Sequence, residues 1–404
     1  MPTARVLLRP LLIVALLLLT LLGAPSRSVG KAQAAATLNL PPGFTLETIA
    51  HVAGARELAV AANGDVYVGT GGDTVYVVPD AQAAPGKPRP FVRVDDRPAA
   101  GVAIAGGWLY VGAQFGVYRL PFSSGDRTPR ELPRKIASVR PQGGSGAHKT
   151  TTVTIGGTTL YAGIGSSCNN CQPERDATRA TIQQMQLDGS VMTPRAQHIR
   201  NPIALTIDPQ TGALWAGVAG QDELAPGHPY EIIDDVSAHP GVADYGWPHC
   251  YENRQPVPPG SDCSNAVLPR AVVPAYETPI GAAFYPLNPT GPYAFGPDYR
   301  GGLFVTLHGS WHLPRVPPQV VFFPMHGDEP QTPVDWSDPA AQWREFLSGF
   351  QQPDGTRIGR PTGVAVGTDG SLFVADDAAG AVYRIRPARS VAQRFAATTR
   401  SSAR

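Results

Sequence analysis

The chain has 404 residues, and 42% of them are hydrophobic, which is enough for a large packed core. Charged residues make up only 16%, and 33 basic against 32 acidic residues leave a formal net charge of +1. This balance argues against a nucleic-acid or membrane-surface partner that binds through bulk electrostatics, so any charge that matters for function must be local.

The first 36 residues have the pattern of a secretory signal peptide. Arg5 and Arg9 precede an apolar run over residues 11–22, and the motif Ala32-Gln33-Ala34, with a small residue on each side of Gln33, follows. The apolar run is shorter than the roughly 20 residues that a membrane-spanning helix needs. We therefore predict cleavage and a secreted or periplasmic location without stable membrane insertion. An uncleaved N-terminal membrane anchor is the alternative.

Residues 37–388 repeat one pattern of short strands and glycine-rich turns. Each repeat has an alternating strand, a Gly or Asp-Gly turn, a second strand with an aromatic residue at its centre, and often a third strand. The first strands of the repeats begin at Leu58, Val102, Thr152, Ala204, Ala282 and Val364. Repeats of short strands at roughly 40 to 50 residue periods are typical of propeller blades. The sequence therefore predicts an all-β, six-bladed β-propeller.

The spacing of the repeats is irregular between Asp235 and Gly281, which leaves a pair of β-sandwiches as the alternative fold. The 44 Gly and 42 Pro residues favour many turns, and no segment carries a sustained apolar stripe of helical period. We expect residues 389–404, which are rich in Ala, Ser, Thr and Arg, to be disordered.

The chain contains four cysteines, Cys168, Cys171, Cys250 and Cys263. An even number in a chain with an export signal predicts disulfides, and the sequence permits three connectivities. We expect local pairing first, because it would staple two long loops. A structural zinc site is less favoured, since the second pair has twelve intervening residues where zinc motifs have roughly two to four.

Polar and basic residues recur where the chain enters the first strand of a repeat. They are Arg56, His148, Arg200 with Asn201, and Arg360, and His308 stands at the end of a second strand. In a propeller these connections open on one face of the channel, so we expect them to converge without a matching set of carboxylates. Partly desolvated like charges repel each other, and arginine suits carboxylate recognition. The set predicts a site for an anion with several acidic groups, although each residue alone would also fit a loop cap or a salt bridge.

Six motifs of this chain resemble, in the same order, those of the soluble pyrroloquinoline quinone (PQQ) dependent sugar dehydrogenases. They are HKTTTVTIGGTTLYAGIGSSCNNC, IRNP, TGALWAG, DYGWPHC, HGSW and GRPTGVAVGTDGSLFVADD. The branch of sorbosone and pyranose dehydrogenases is the most similar, and the resemblance covers roughly residues 40–388. It implies a six-bladed propeller that binds PQQ and calcium at the top of its channel and oxidises an aldose or related sugar.

The resemblance also implies a role for each polar residue named above. His148 would be the general base that takes the proton of the anomeric hydroxyl while hydride leaves C1 for the quinone. Arg200 would stabilise negative charge on the quinone oxygen. The remaining implied contacts are Asn201, Arg56, His308 and Arg360 for PQQ, and the backbone of Gly220 and Gln221 for Ca²⁺. Electrons would pass to a separate acceptor such as a cytochrome or a quinone.

The chain departs from the motifs of this family in several places, and a Lys that holds the cofactor in some members has no clear counterpart here. Ala147 stands where soluble glucose dehydrogenases have an acidic residue, and His312-Leu313 stands where Asn-Arg commonly follows HGSW. Two other functions are weighed against the dehydrogenase. A calcium-dependent lactonase would need carboxylates such as Asp222, Asp376 and Asp377 to hold its metal, and the basic residues argue against it. A non-catalytic binding propeller is the third hypothesis.

Overall fold

Six antiparallel sheets, each built on four main strands, follow one another along the chain as the blades of a β-propeller. The computed structural model describes residues 37–139, 148–171, 174–313 and 315–388. The predicted signal peptide (1–36), the predicted disordered tail (389–404) and Ala147 lie outside these residues. The prediction of an all-β, six-bladed propeller is confirmed.

The strands are numbered in chain order, and the innermost strand of each blade is given first. Blade 1 contains β2 (Ala55–Val60), β3 (Val66–Thr70), β4 (Thr74–Val78) and β5 (Arg89–Arg93). Blade 2 contains β6 (Ala99–Ala105), β7 (Trp108–Ala113), β8 (Gly116–Pro121) and β9 (Arg134–Ser138). Blade 3 contains β10 (Thr151–Gly156), β11 (Thr159–Ile164), β12 (Thr181–Gln186), β13 (Thr193–Gln197) and, at its edge, β17 (Ala243–Asp244).

Blades 4 to 6 follow the same plan. Blade 4 contains β14 (Pro202–Ile207), β15 (Leu214–Val218), β16 (Glu231–Asp235) and β20 (Ala271–Val273). Blade 5 contains β21 (Pro279–Phe284), β22 (Leu303–Leu307), β23 (Gln319–Phe323) and β26 (Arg344–Leu347). Blade 6 contains β27 (Pro361–Val366), β28 (Leu372–Asp376), β29 (Ala381–Pro387) and β1 (Phe44–His51).

Four short strands and two 3₁₀ helices complete the described elements. Two hairpins stand apart from the blades, β18 (Cys250–Tyr251) with β19 (Gln255–Pro256), and β24 (Met325–His326) with β25 (Glu329–Pro330). The 3₁₀ helices are Val236–Ala238 and Pro297–Tyr299. In the described part of the chain, no helix is long and apolar enough to cross a membrane.

The innermost strands form a closed ring. β2 contacts β6, and the contacts continue through β10, β14 and β21 to β27, which contacts β2 again. Close approach between neighbouring blades depends on small residues. A Cβ atom at Gly363 in β27 would lie 2.4 Å from the carbonyl oxygen of Arg56. Glycine at this position therefore allows blade 6 to approach blade 1 beside one of the predicted site residues.

The first strand of the chain closes the ring by joining the last blade. β1 pairs with β29 in an antiparallel register that runs from Phe44 opposite Pro387 to His51 opposite Ala381. The ring of Phe44 also packs edge-on against Phe295 and Phe346, with ring centroids 4.7 and 5.3 Å apart. Aromatic packing of this kind adds to the burial of apolar surface. The closing strand is thus held by both hydrogen bonds and packing.

The irregular spacing between Asp235 and Gly281 is an insertion within blade 4. Between β16 and β20 the chain adds β17, which pairs in parallel with β13 of blade 3, and the hairpin β18–β19. A disulfide between Cys250 and Cys263 staples this insertion. The alternative of two β-sandwiches was therefore wrong, because the missing regularity reflects an inserted segment and not a second domain.

Candidate active site

The connections that enter or leave the inner strands of blades 3 to 6 surround a cavity of about 490 Å³. This volume lies in the range of small-molecule sites. Six of the residues predicted from the sequence line the cavity, namely His148, Arg200, Asn201, Gly220, His308 and Arg360. Arg56 joins this group through a chain of hydrogen bonds described below. Gln221 instead lines a separate cavity of about 60 Å³, to which Arg200 and Gly220 also contribute.

His148 lies just before β10, and its hydrogen bonds define its tautomer. Its Nδ1 lies 3.0 Å from the carbonyl oxygen of Ser166 and 3.1 Å from Ser166 Oγ. Ser166 Oγ donates its own hydrogen to the carbonyl oxygen of Cys168 at 2.6 Å, so it has none left for the ring. Nδ1 must therefore carry the proton and donate it, which leaves the unshared electron pair on Nε2.

The surroundings of His148 keep its ring neutral. Burial lowers its pKa from the ordinary value of 6.5 to about 3, and the nearby charges of Arg200 and Arg179 act in the same direction. The contact with Ser166 opposes this shift only in part. At neutral pH, His148 is thus an imidazole with an available lone pair on the wall of the cavity, which is what a general base requires.

Gly165 allows His148 and Asn201 to pack side by side. A Cβ atom at this position would lie 2.5 Å from His148 Cβ and 2.3 Å from Asn201 Oδ1. The same Asn201 Oδ1 is buried and has no hydrogen-bond partner among the described residues. Because Asn201 also lines the cavity, its amide is available to a bound molecule.

Arg200 lies just before β14, and all its side-chain nitrogens are used. Its Nε donates to the carbonyl oxygen of Asn169 at 3.1 Å, and its Nη2 donates to Asn169 Oδ1 at 2.9 Å and to Asp222 Oδ2 at 2.7 Å. Its Nη1 donates to the carbonyl oxygens of Ala219 and Gly220. With only 6% of its surface exposed, the guanidinium is fixed in one orientation.

A chain of hydrogen bonds joins Arg360, His308, Asp377 and Arg56. Arg360 Nη2 donates to His308 Nδ1 at 2.7 Å, and His308 Nε2 donates to Asp377 Oδ1 at 3.0 Å. Asp377 Oδ2 accepts from Arg56 Nη1 at 3.1 Å. Because arginine has no acceptor, the proton of His308 must be on Nε2. Burial lowers the pKa of His308 to about 4, so it is a neutral connector and not a further positive charge.

The expectation that the basic residues lack matching carboxylates was wrong. Asp377 pairs with Arg56, and Asp222 pairs with Arg200. Arg56 and Asp377 are 321 residues apart in the sequence, so no local pattern links them. The ion pair between Arg56 and Asp377 forms only because blade 6 closes against blade 1.

The cavity nevertheless keeps an excess of positive charge. Two further arginines that the sequence analysis missed, Arg315 and Arg357, also line it. Burial raises the pKa of Glu231 to about 7 and that of Glu277 to about 8, so both carboxyls hold much of their proton at neutral pH. Asp222 is then the main negative charge on the wall. Arg357 lies three residues before Arg360 in the same connection, and this proximity was the signal available in the sequence.

The predicted calcium position conflicts with a hydrogen bond of Arg200. The carbonyl oxygen of Gly220, one of its two proposed ligands, already accepts from the Arg200 guanidinium. A calcium ion at the same oxygen would meet a fixed positive charge. Among the described residues there is no cluster of three or more His, Cys, Asp or Glu side chains suited to a metal ion. The residues as arranged do not fit calcium at Gly220.

The three carboxylates considered for a lactonase metal site have other partners. Asp376 is fully buried and accepts from the backbone N–H of Arg360 at 2.8 Å. Asp222 and Asp377 form the ion pairs described above. This arrangement gives the lactonase hypothesis no support.

An aromatic stack stands at the rim of the cavity. The ring of His312 lies 3.8 Å from that of Tyr276 and 4.0 Å from that of Trp311, nearly parallel to both. Trp311 lines the cavity and is 68% exposed. His312, which stands where Asn commonly follows HGSW, therefore packs against the exposed indole of Trp311. This indole offers a flat apolar surface to a ligand.

Comparison with known proteins gives the same fold. A family model described as TrAA12-like matches residues 253–388. The holo pyranose dehydrogenase PQQ domain from Coprinopsis cinerea has a TM-score of 0.72 at 19% identity, with 88% of this chain and 98% of that one covered. The calcium structure of the Carbohydrate-Active Enzymes Family AA12 protein from Trichoderma reesei has a TM-score of 0.71 at 18% identity, covering 87% and 98%. The chain shares their fold.

Two further matches cover most of the chain. The PQQ-bound aldose sugar dehydrogenase from Streptomyces coelicolor has a TM-score of 0.59 at 17% identity, covering 86% of this chain and 99% of that one. An uncharacterized protein of Borreliella burgdorferi is 21% identical over 379 residues, which are 89% of this chain and 93% of that protein. At these identities the similarity establishes the six-bladed propeller fold, and the chemistry must be argued from the site.

Both disulfides are local. Cys168 pairs with Cys171 and Cys250 with Cys263, at S–S distances of 1.98 and 2.06 Å. The predicted pairing is confirmed, and the alternative of a zinc site was wrong because no free cysteine remains in the described part of the chain, which includes all four.

Proposed function

We propose that this chain is a PQQ-dependent sugar dehydrogenase that oxidises an aldose or related sugar at C1. The observation that carries the proposal is the pairing of a neutral His148, whose Nε2 is unprotonated, with an arginine-rich cavity. We further propose export of the protein, as the N-terminal pattern predicts, and transfer of the electrons to a separate acceptor such as a cytochrome or a quinone.

The residues of the cavity fit the charge and shape of PQQ, a planar quinone with three carboxylates. Arg315, Arg357 and Arg360 would hold its carboxylates, because guanidinium groups bind carboxylates strongly. The buried Oδ1 of Asn201 has no other partner in the described chain, so this side-chain amide would also face the cofactor. His308 orients Arg360 by accepting from it directly, and Arg56 acts on His308 through Asp377, so their contribution to cofactor binding is indirect.

PQQ, when bound, supplies the acceptor for the hydride that leaves C1. His148 takes the proton of the anomeric hydroxyl at Nε2, while its Nδ1–H remains bonded to Ser166. Arg200 holds a fixed positive charge on the same wall and would stabilise the negative charge that hydride transfer brings into the site. The exposed face of Trp311 offers a contact for the apolar face of the sugar ring. No step is assigned to calcium.

PQQ binding should raise the pKa of His148. Burial is the largest cause of its depression, but the charges of Arg200 and Arg179 add to it, and a trianionic cofactor would offset those charges. The expected result is a low His148 pKa in the free protein and a higher one in the complex. Carbon-13 NMR of labelled histidine, assigned with the His148→Gln variant, measures both values. An unchanged pKa on saturation with PQQ would argue against binding in this cavity.

The function itself is tested by titrating the purified mature protein with PQQ and recording its absorption spectrum before and after a panel of aldoses is added. We expect saturable binding, followed by sugar-dependent bleaching of the quinone. The titration is run with excess calcium and, in parallel, with EDTA. PQQ binding in both arms would mean that calcium is not required, in agreement with the hydrogen bond that Arg200 donates to the Gly220 carbonyl oxygen. PQQ binding only in the presence of calcium would restore the predicted metal site at Gly220 and Gln221. No binding by the folded protein in either arm would overturn the proposal.

A further inference from the structure

We infer that the loop of residues 166–171, closed by the disulfide between Cys168 and Cys171, positions both His148 and Arg200, and that Asn169 is its central positioning residue. The inference rests on the proposed function for its catalytic meaning. The CxxC motif that forms this loop has no other role in the site.

The first half of the loop orients His148. The carbonyl oxygen of Ser166 accepts from the backbone N–H of His148 at 3.1 Å and from its ring Nδ1 at 3.0 Å. The hydroxyl of Ser166 is turned by its bond to the carbonyl oxygen of Cys168, so the first disulfide cysteine helps to select the tautomer. The backbone N–H of Ser166 also donates to the carbonyl oxygen of Arg200 at 2.8 Å. Ser166 thus forms hydrogen bonds with both His148 and Arg200.

The second half of the loop orients Arg200 through Asn169. Two nitrogens of the guanidinium donate to Asn169, one to its backbone carbonyl and one to its side-chain Oδ1. The same Oδ1 accepts from the backbone N–H of Asp222 at 2.8 Å, and Asn169 Nδ2 donates to the carbonyl oxygen of Asp222 at 3.0 Å. Asn169 therefore holds both the arginine and the carboxylate that pairs with it.

The loop depends on these contacts because no strand includes it. Residues 165–171 lie after β11 without regular secondary structure. Glu174 accepts from the backbone N–H and from the hydroxyl of Ser167, both at 2.7 Å. The disulfide closes the other end and restricts the conformations available to Asn169. Opening this disulfide should therefore loosen Arg200 without removing any residue that contacts substrate.

The test compares Asn169→Ala with Asn170→Ala. Asn170 is the exposed neighbour in the same loop. Asn169→Ala removes the Oδ1 that accepts from Arg200 and both side-chain contacts with the Asp222 backbone. In the protein without PQQ, the less firmly held Arg200 should be better screened by water, and the pKa of His148 should rise by roughly half a pH unit or more. With PQQ and sugar it should lower kcat by roughly 10- to 100-fold. Asn170→Ala should leave both quantities at the wild-type values.

The disulfide is tested in the same assays. Cys168→Ser with Cys171→Ser should reproduce the effect of Asn169→Ala on the His148 pKa, whereas Cys250→Ser with Cys263→Ser should lower thermal stability without moving that pKa. If the Asn169 variant does not fold, the Cys250→Ser, Cys263→Ser protein replaces it, because Cys168–Cys171 is its remaining disulfide. The His148 pKa is then compared in this folded protein before and after a reductant opens that disulfide.

A His148 pKa that is equal in the Asn169→Ala and Asn170→Ala proteins would overturn the inference, and so would a pKa that is insensitive to opening the first disulfide. The measurement without PQQ separates this outcome from failure of the proposed function. Absence of PQQ binding by the wild-type protein would refute the dehydrogenase, while the histidine titration would still decide whether the loop positions Arg200.

Discussion

Replacement of His148 by alanine should lower kcat by roughly 10²- to 10⁴-fold, the usual contribution of a general base, while PQQ still binds. The reason lies in the hydrogen bonds of the ring. Nδ1–H is committed to Ser166, which leaves Nε2 as the only ring atom able to accept the hydroxyl proton. Arg357 and Arg360, which would bind the cofactor carboxylates, donate to other groups and not to the ring of His148. Loss of that ring should therefore leave them in place to bind PQQ. The measurement is steady-state turnover beside a PQQ titration monitored by absorbance.

His308 provides the matched control for this prediction. It is also buried and neutral, but both of its ring nitrogens are used, one by Arg360 and one by Asp377. His308→Ala should therefore weaken PQQ binding by releasing Arg360, with a smaller effect on kcat at saturating cofactor. Added imidazole should partly restore turnover to His148→Ala and not to His308→Ala. Wild-type turnover in the His148 variant, or equal imidazole rescue of both, would remove His148 as the base.

The blades could be predicted from sequence because the information for them is local. Alternating strands and turn glycines recur in each repeat, and Gly64 and Gly370 both have the positive φ, 87° and 85°, that such turns require. The insertion between β16 and β20 broke the period and left a pair of β-sandwiches as an alternative fold. Its parallel pairing with blade 3 depends on contacts made across blades, which a repeat pattern does not contain.

The sequence predicted which residues would form the site, but not the hydrogen bonds and ion pairs that connect them. His148, Arg200 and Arg360, which the sequence places before inner strands, all line one cavity. The partners that fix their orientation were missed, because Asp377 lies 321 residues from Arg56 and Asn169 lies 31 residues from Arg200. His308 was counted as basic, although its surroundings make it neutral. Charge state and orientation follow from these long-range contacts, so composition alone could not supply them.

Replacement of Arg200 by alanine should lower the rate of quinone reduction in a single turnover by roughly 10²- to 10³-fold, the usual loss when a group that stabilises developing negative charge is removed. The guanidinium is buried, and hydrogen bonds to Asn169, Asp222 and the Gly220 carbonyl fix its direction. Its charge therefore needs no reorganisation when the reaction begins. Stopped-flow absorbance after the protein, loaded with PQQ, is mixed with sugar measures this rate.

Two further variants separate the charge of Arg200 from its structural contacts. Arg200→Lys keeps the charge but cannot make the forked contacts with Asn169 and Asp222, so it should recover only part of the rate. Asp222→Asn removes the partner carboxylate and keeps the guanidinium, so it should slow the reaction less than Arg200→Ala. If Asp222→Asn were as slow as Arg200→Ala, the loss would come from a disturbed loop. An unchanged single-turnover rate in Arg200→Ala would show that this charge does not act on the reacting atoms.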